Sequence, residues 1–204
     1  MSFSTYAELQ TTIAGYLARS DLTTQIPDFI RLAEVRLRRD LRIRQMLTSA
    51  TLTCTAGVAT VSIPSDFLQV SDFVVDGNPV QTLSYESPAL FSRNSRTTDG
   101  GKPKTYTVLA STFQLAPVPD SAFSLKLIYS AAPPFLSNTN TTNTFITVCP
   151  DLLLYASLLE AEPYLMNDAR INTWGTMFDR AMNGLTTSDE QGQYSGVPLT
   201  MRTT

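Results

Sequence analysis

The sequence predicts an α+β fold: an antiparallel helical bundle made from N- and C-terminal helix pairs, a central antiparallel β-rich insertion, and an extended C-terminal tail. Three observations predict it. Apolar residues recur at helical spacing near both ends of the chain. Between them the texture changes to two-residue alternation, broken by turns rich in Gly, Pro and Asn. After Asp189 the chain becomes polar. A lone helix pair cannot bury its apolar faces, so the two pairs are expected to pack together. The expected organisation is 1–46 with 147–188 as the bundle, 47–146 as the insertion and 189–204 as a flexible arm.

The first helix has a readable start. Thr5-Tyr6-Ala7-Glu8 has capping-box spacing, in which each side chain satisfies the other's free backbone N–H. Tyr6, Leu9, Ile13, Tyr16 and Leu17 then share a face, and Ser20-Asp21 closes the helix. Pro27 suits the first turn of the second, because its missing N–H costs nothing there. The buried stripe of that helix is Ile26, Ile30, Ala33, Leu37 and Leu41.

From Thr48 onward ATLTCTAGVATVSIPSDF reads as strands over 50–55 and 58–63, with a turn at Ala56-Gly57. FLQVSDFVVDGNPVQTL adds a strand that ends in a DGNP turn. YESPALFSRN is a short helix entered at Ser87-Pro88, and RTTDGGKPK is a loop. TYTVLA, STFQLAP and AFSLKLIYSA are three strands, with turns near Ala110-Ser111 and Pro119-Asp120. AAPPFLSNTNTTNTF is too rich in Pro, Asn and Thr for regular structure.

Helical texture returns at Pro150-Asp151, where Leu152, Ala156, Leu159 and Pro163 share a face and the proline ends or kinks the helix. Asn167 or Asp168 is expected to cap the last helix, whose stripe is Ile171, Trp174, Phe178, Ala181, Met182 and Leu185. Trp174 and Tyr164 read as core residues. The tail EQGQYSGVPLTMRTT carries sparse apolar points at Tyr194, Val197, Pro198, Leu199 and Met201. Such a segment is either a frayed terminus or an arm that orders on a partner.

Composition narrows the chemistry. Histidine is absent, so Ser-His and Cys-His nucleophile pairs and the usual zinc sets are excluded. Cys54 and Cys149 show no short-range metal pattern and read as free thiols. Glu160 and Glu162 diverge on a helix, and Asp66, Asp72 and Asp76 are scattered, so no carboxylate pair marks an active site. DGGKP at 99–103 lacks phosphate-loop spacing, and Pro103 replaces the metal-facing hydroxyl residue. No apolar run is long enough to span a membrane, and the N-terminus lacks a signal peptide's charged start and apolar run. No enzyme, cofactor or metal is expected.

One segment concentrates positive charge. RLAEVRLRRDLRIR, residues 31–44, holds six arginines in a chain of formal charge −3, and segment 28–44 nets +3. At about 100° per residue, Arg31, Arg38 and Arg42 fall within roughly 40° of one another. Arg36 and Arg39 point progressively away and Arg44 lies on the other side. Glu34 with Arg38 and Asp40 with Arg44 have ion-pair spacing. The stripe reads as a solvated or internally paired face, or as a surface complementary to a protein partner or neighbouring subunit. The alternative is a small nucleic-acid-binding module using the basic helix 28–44, which an acidic whole disfavours.

Several long patterns, in order, resemble the adaptor, or head-to-tail connector, proteins of tailed bacteriophages of the podovirus-like kind. TYAELQTTIAGYLARSDLTTQIPDFIRLAEVRLRRDLRIRQM is similar to their opening helix pair, and IPSDFLQVSDFVVDG to their P-x-D-F strand. GKPKTYTVLASTFQLAPVPDSAFSLKLIYSAAPPFLS is similar to their later strands, and PDLLLYASLLEAEPYLMNDARINTW to their closing helices. The resemblance implies a structural virion protein of the neck, assembled in the host bacterial cytoplasm. It implies a homo-oligomeric, dodecameric ring beneath the portal protein that continues the DNA channel and attaches the tail or nozzle protein. DNA would then be only passing cargo, with no membrane partner. On that view Arg31, Arg38 and Arg42 face a neighbouring subunit or the portal, and Tyr194, Val197, Pro198, Leu199 and Met201 form a portal-docking arm.

Overall fold

The computed structural model describes residues 3–94, 100–165 and 170–194. The chain is mixed α+β and divides into two compact units, residues 1–46 with 133–204, and residues 47–132.

The first unit is helical. α1 (Tyr6–Leu17) opens on the anticipated capping box: the Thr5 hydroxyl accepts the Glu8 N–H at 3.4 Å, and Glu8 accepts the Thr5 N–H at 3.2 Å. It ends at Ala18, whose left-handed backbone (φ 53°) lets its N–H reach back to Ala14 and Gly15. α2 (Ile26–Asp40) carries proline in its first turn and buries Ile26, Ile30, Ala33 and Leu37. A single 3-10 turn (Arg44–Met46) follows. α4 (Thr144–Val148) is capped by Asn143, whose side chain accepts the Ile146 N–H. α5 (Pro150–Leu165) and α6 (Ile171–Tyr194) complete the unit.

α5 is the centre of this unit: α1, α2, α4 and α6 all pack against it. That placement explains why it buries residues on several sides, Leu152, Leu153, Leu154, Ala156, Leu158 and Ala161, rather than the single face its spacing suggested. Pro163 sits inside the helix two residues from its end. Trp174 is 5% exposed, as a core residue should be, but Tyr164 is 53% exposed, its ring tilted against Phe29 at 5.8 Å. Tyr16 likewise lies at 36% exposure at the rim of the α1 stripe. Asn167 and Asp168 lie outside the described residues.

Two boundaries differ from the sequence expectation. Residues 133–146 belong with the helices rather than with the strands, because the Asn143 cap and α4 engage helical partners that local composition does not reveal. α6 runs on to Tyr194, into the segment read as an arm. Asp189 is tethered within that extension: its carboxylate accepts the Arg44 N–H at 3.0 Å and pairs with the Arg44 guanidinium at 3.1 Å.

The second unit is a pair of facing sheets. One has the order β1 (Leu47–Cys54), β8 (Phe123–Ala131), β3 (Phe67–Val75), β4 (Gln81–Thr82). The other has β2 (Thr60–Ser62), β7 (Thr112–Ala116), β6 (Thr105–Leu109), β5 (Ser84–Tyr85). All pairings are antiparallel except β5 with β6. Inward-facing Leu125, Leu127, Phe73 and Val75 from one sheet meet Tyr106, Phe113 and Leu115 from the other. Phe73 and Phe113 are centred 4.9 Å apart. The turn at Ala56-Gly57 is present, with Gly57 at φ +76°, but it passes β1 and β2 into different sheets rather than pairing them. α3 (Pro88–Asn94) forms where YESPALFSRN suggested it and packs on β6.

Candidate interaction site on the helical unit

The basic segment is built differently from a uniform stripe. α2 stops at Asp40, and Leu41 is already extended. Arg42 therefore leaves the helical face shared by Arg31 and Arg38. Its guanidinium instead donates to the carbonyls of Arg38 at 2.8 Å and Leu41 at 2.6 Å, capping the end of α2 where the helix dipole favours a cation. The early stop also removes the expected Asp40–Arg44 pair, because those residues are no longer one helical turn apart. Asp40 lies 4.0 Å from Arg36, and Arg44 turns to Asp189. Arg36 also reaches Glu160 of α5 at 3.5 Å and lies over the Phe178 ring of α6 at 4.6 Å.

The expected Glu34–Arg38 pair is absent for another reason. Glu34 is 1% exposed, and its carboxylate is spent inward. It accepts the Leu136 N–H at 3.1 Å and the Asn143 side-chain N–H at 2.6 Å, while Asn143 also donates to the Pro134 carbonyl at 2.9 Å. Burial pushes the Glu34 carboxyl above the ordinary glutamate range, and these hydrogen bonds and the nearby arginines pull in the opposite direction. One side chain thus pins the loop 134–143 onto α2.

Pinning Leu136 places its neighbour, Phe135. The guanidinium carbon of Arg31 lies 3.0 Å from the centre of that ring, and the carbon of Arg38 lies 3.2 Å from it. Two guanidinium groups so close to one ring centre can only occupy its opposite faces. Seven residues separate them on α2, about 10 Å along the axis, and the ring fills that gap. Arg38 also donates to the Pro133 carbonyl, while its buried Nε has no hydrogen-bond partner among the described residues. Burial, with the like charge of Arg31, lowers the Arg38 pKa, opposed by Glu34.

Among the described residues, then, Arg31 and Arg38 come together around Phe135, with Arg42 beyond the helix end. Phe135 and Asn143 were missed from sequence, since an apolar residue in a Pro- and Asn-rich loop has no periodicity to betray it. Glu34 did carry a signal. It falls at the buried-stripe position four residues after Ile30, and a carboxylate there demands polar partners. The proposed arm lies outside the described residues, except that Tyr194 is the last residue of α6.

Other chemistry is sparse among the described residues. No group of His, Cys, Asp and Glu could hold a metal, and no helix is long and apolar enough to cross a membrane. Cys54 and Cys149 are buried free thiols, and burial, aided by Asp151, pushes the Cys149 thiol up to about 12, far from a reactive thiolate. What stands out on the helical unit is therefore a pair of cations oriented by one ring, a feature suited to contact with another molecule rather than to catalysis. The family model for the SU10 adaptor protein matches residues 4–202, and the chain belongs to that family of phage adaptor proteins. It is accordingly a structural component of a bacteriophage virion. No curated protein matches it.

Proposed function

We propose that this adaptor forms a closed dodecameric ring beneath the portal, continues the DNA channel and attaches the tail or nozzle. The observation that carries the reading is the family match along nearly the whole chain, residues 4–202. A ring needs head-to-tail interfaces that close on themselves. The platform of α2 supplies a candidate surface, with Arg31 and Arg38 toward a neighbouring subunit or the portal and Arg42 at the margin of that surface, beyond the helix end. The helices of the first unit act as an antiparallel bundle and residues 47–132 as an inserted lobe that meets the next tail component.

The C-terminal arm, through Tyr194, Val197, Pro198, Leu199 and Met201, docks on the portal. Many copies of a weak arm on one ring give high avidity without strong individual contacts. Native mass measurement of the full chain, alone and with its portal, tests the reading. A ring that binds portal, and loses it when residues 195–204 are deleted, is expected. A strict monomer that ignores the portal with the arm intact refutes it.

A further inference from the structure

Arg31 and Arg38 lie about 6 Å apart across the Phe135 ring. Two like charges held at that distance repel, and the Glu34 carboxylate, whose charge acts on both, is already engaged by Leu136 and Asn143. The Arg31 side chain makes no ion pair or hydrogen bond with any described residue. The half-buried ring acts as a spacer. It prevents the cations from splaying and removes much of the rotamer freedom that an arginine otherwise loses on binding. At the ring's outer edge an oxyanion would lie between the two positive charges, attracted by both.

We propose that Arg31, Phe135 and Arg38 form a pincer that takes a single carboxylate side chain from a protein partner. This deepens the adaptor reading and rests on it for the partner being a protein. Phosphate has similar chemistry, but the other arginines of segment 31–44 do not extend the pincer into a nucleic-acid track: Arg39 is exposed but turned about 100° from Arg38 around the helix, and the remaining three are engaged. Arg36 is paired with Asp40 and Glu160, Arg44 with Asp189, and Arg42 with the carbonyls at the end of α2. Charge points the same way. Outside segment 28–44 the chain nets −6, since the whole is −3 and that segment +3. A neighbouring copy thus brings carboxylates, whereas its field opposes DNA.

The test uses the full chain and a fluorescently labelled hexaglutamate peptide, with binding read by anisotropy at low salt. Arg31→Gln and Phe135→Leu should each weaken binding about tenfold, the scale of one lost charge-assisted hydrogen bond. Arg39→Gln, outside the pincer, should change it by less than about twofold. Unfolding of Phe135→Leu, followed by Trp174 fluorescence, shows whether the variant is folded; if it is not, Arg31→Gln alone decides. Equal binding by wild type and Arg31→Gln overturns the pincer. So does a short DNA duplex that binds more tightly than the peptide and loses its affinity in Arg31→Gln, or inorganic phosphate binding there when the peptide does not. A chain that assembles with portal yet shows no pincer binding leaves the adaptor reading standing. A chain with a working pincer that stays monomeric and ignores portal overturns that reading instead.

Discussion

Replacing Glu34 with alanine should destabilise the helical unit by about 2–4 kcal/mol. Two buried donors, the Leu136 N–H at 3.1 Å and the Asn143 side-chain N–H at 2.6 Å, lose their acceptor. Hydrogen bonds to a charged group are worth about 1.5–3 kcal/mol each. Against this, the carboxylate's own burial is unfavourable, as its raised pKa shows, and its removal returns part of the loss. The single tryptophan, Trp174, is buried in the same unit and reports its unfolding by fluorescence. With a urea slope of about 2 kcal/mol per molar, the midpoint should fall by roughly 1–2 M. Glu34→Gln keeps one acceptor oxygen and should lose about half as much.

The pH dependence separates the charge from the hydrogen bonds. Because the folded Glu34 binds its proton more tightly than the unfolded residue, native protein holds more protons between the ordinary glutamate pKa and the raised one. The contribution of this group to stability therefore falls as pH rises through that window. Wild type should gain on Glu34→Gln as the solution is acidified from neutrality toward the ordinary glutamate range. An unfolding free energy for Glu34→Ala within about 0.5 kcal/mol of wild type, the scale of an ordinary surface change, would refute the anchoring role.

Two further substitutions probe local features. Asp189→Ala releases Arg44 and its backbone N–H from α6; a loss of about 1 kcal/mol is expected, with faster amide exchange confined to the last turns of α6. Unchanged exchange there would show that another contact holds the helix end. Ala18→Gly relieves a left-handed backbone at φ 53° and should stabilise by about 0.5–1 kcal/mol; a lower melting temperature would contradict the strain.

The sequence by itself determined the local architecture. The Thr5–Glu8 box, the apolar stripe of α2 and the two-residue alternation of β6 to β8 were legible because each depends on neighbours within a turn or along a strand. Absence of histidine was equally decisive, since it removes whole classes of catalytic and metal chemistry at once. Helical angles also brought Arg31 and Arg38 to one face. The tertiary structure decided what those arginines face. Glu34 and Leu136 are 102 positions apart and Arg44 and Asp189 are 145 apart, so no local pattern could pair them. Where α2 stops, which carboxylates turn inward and how Phe135 comes to rest between two cations are all settled by burial, where an unmatched charge or N–H costs more than helix propensity contributes.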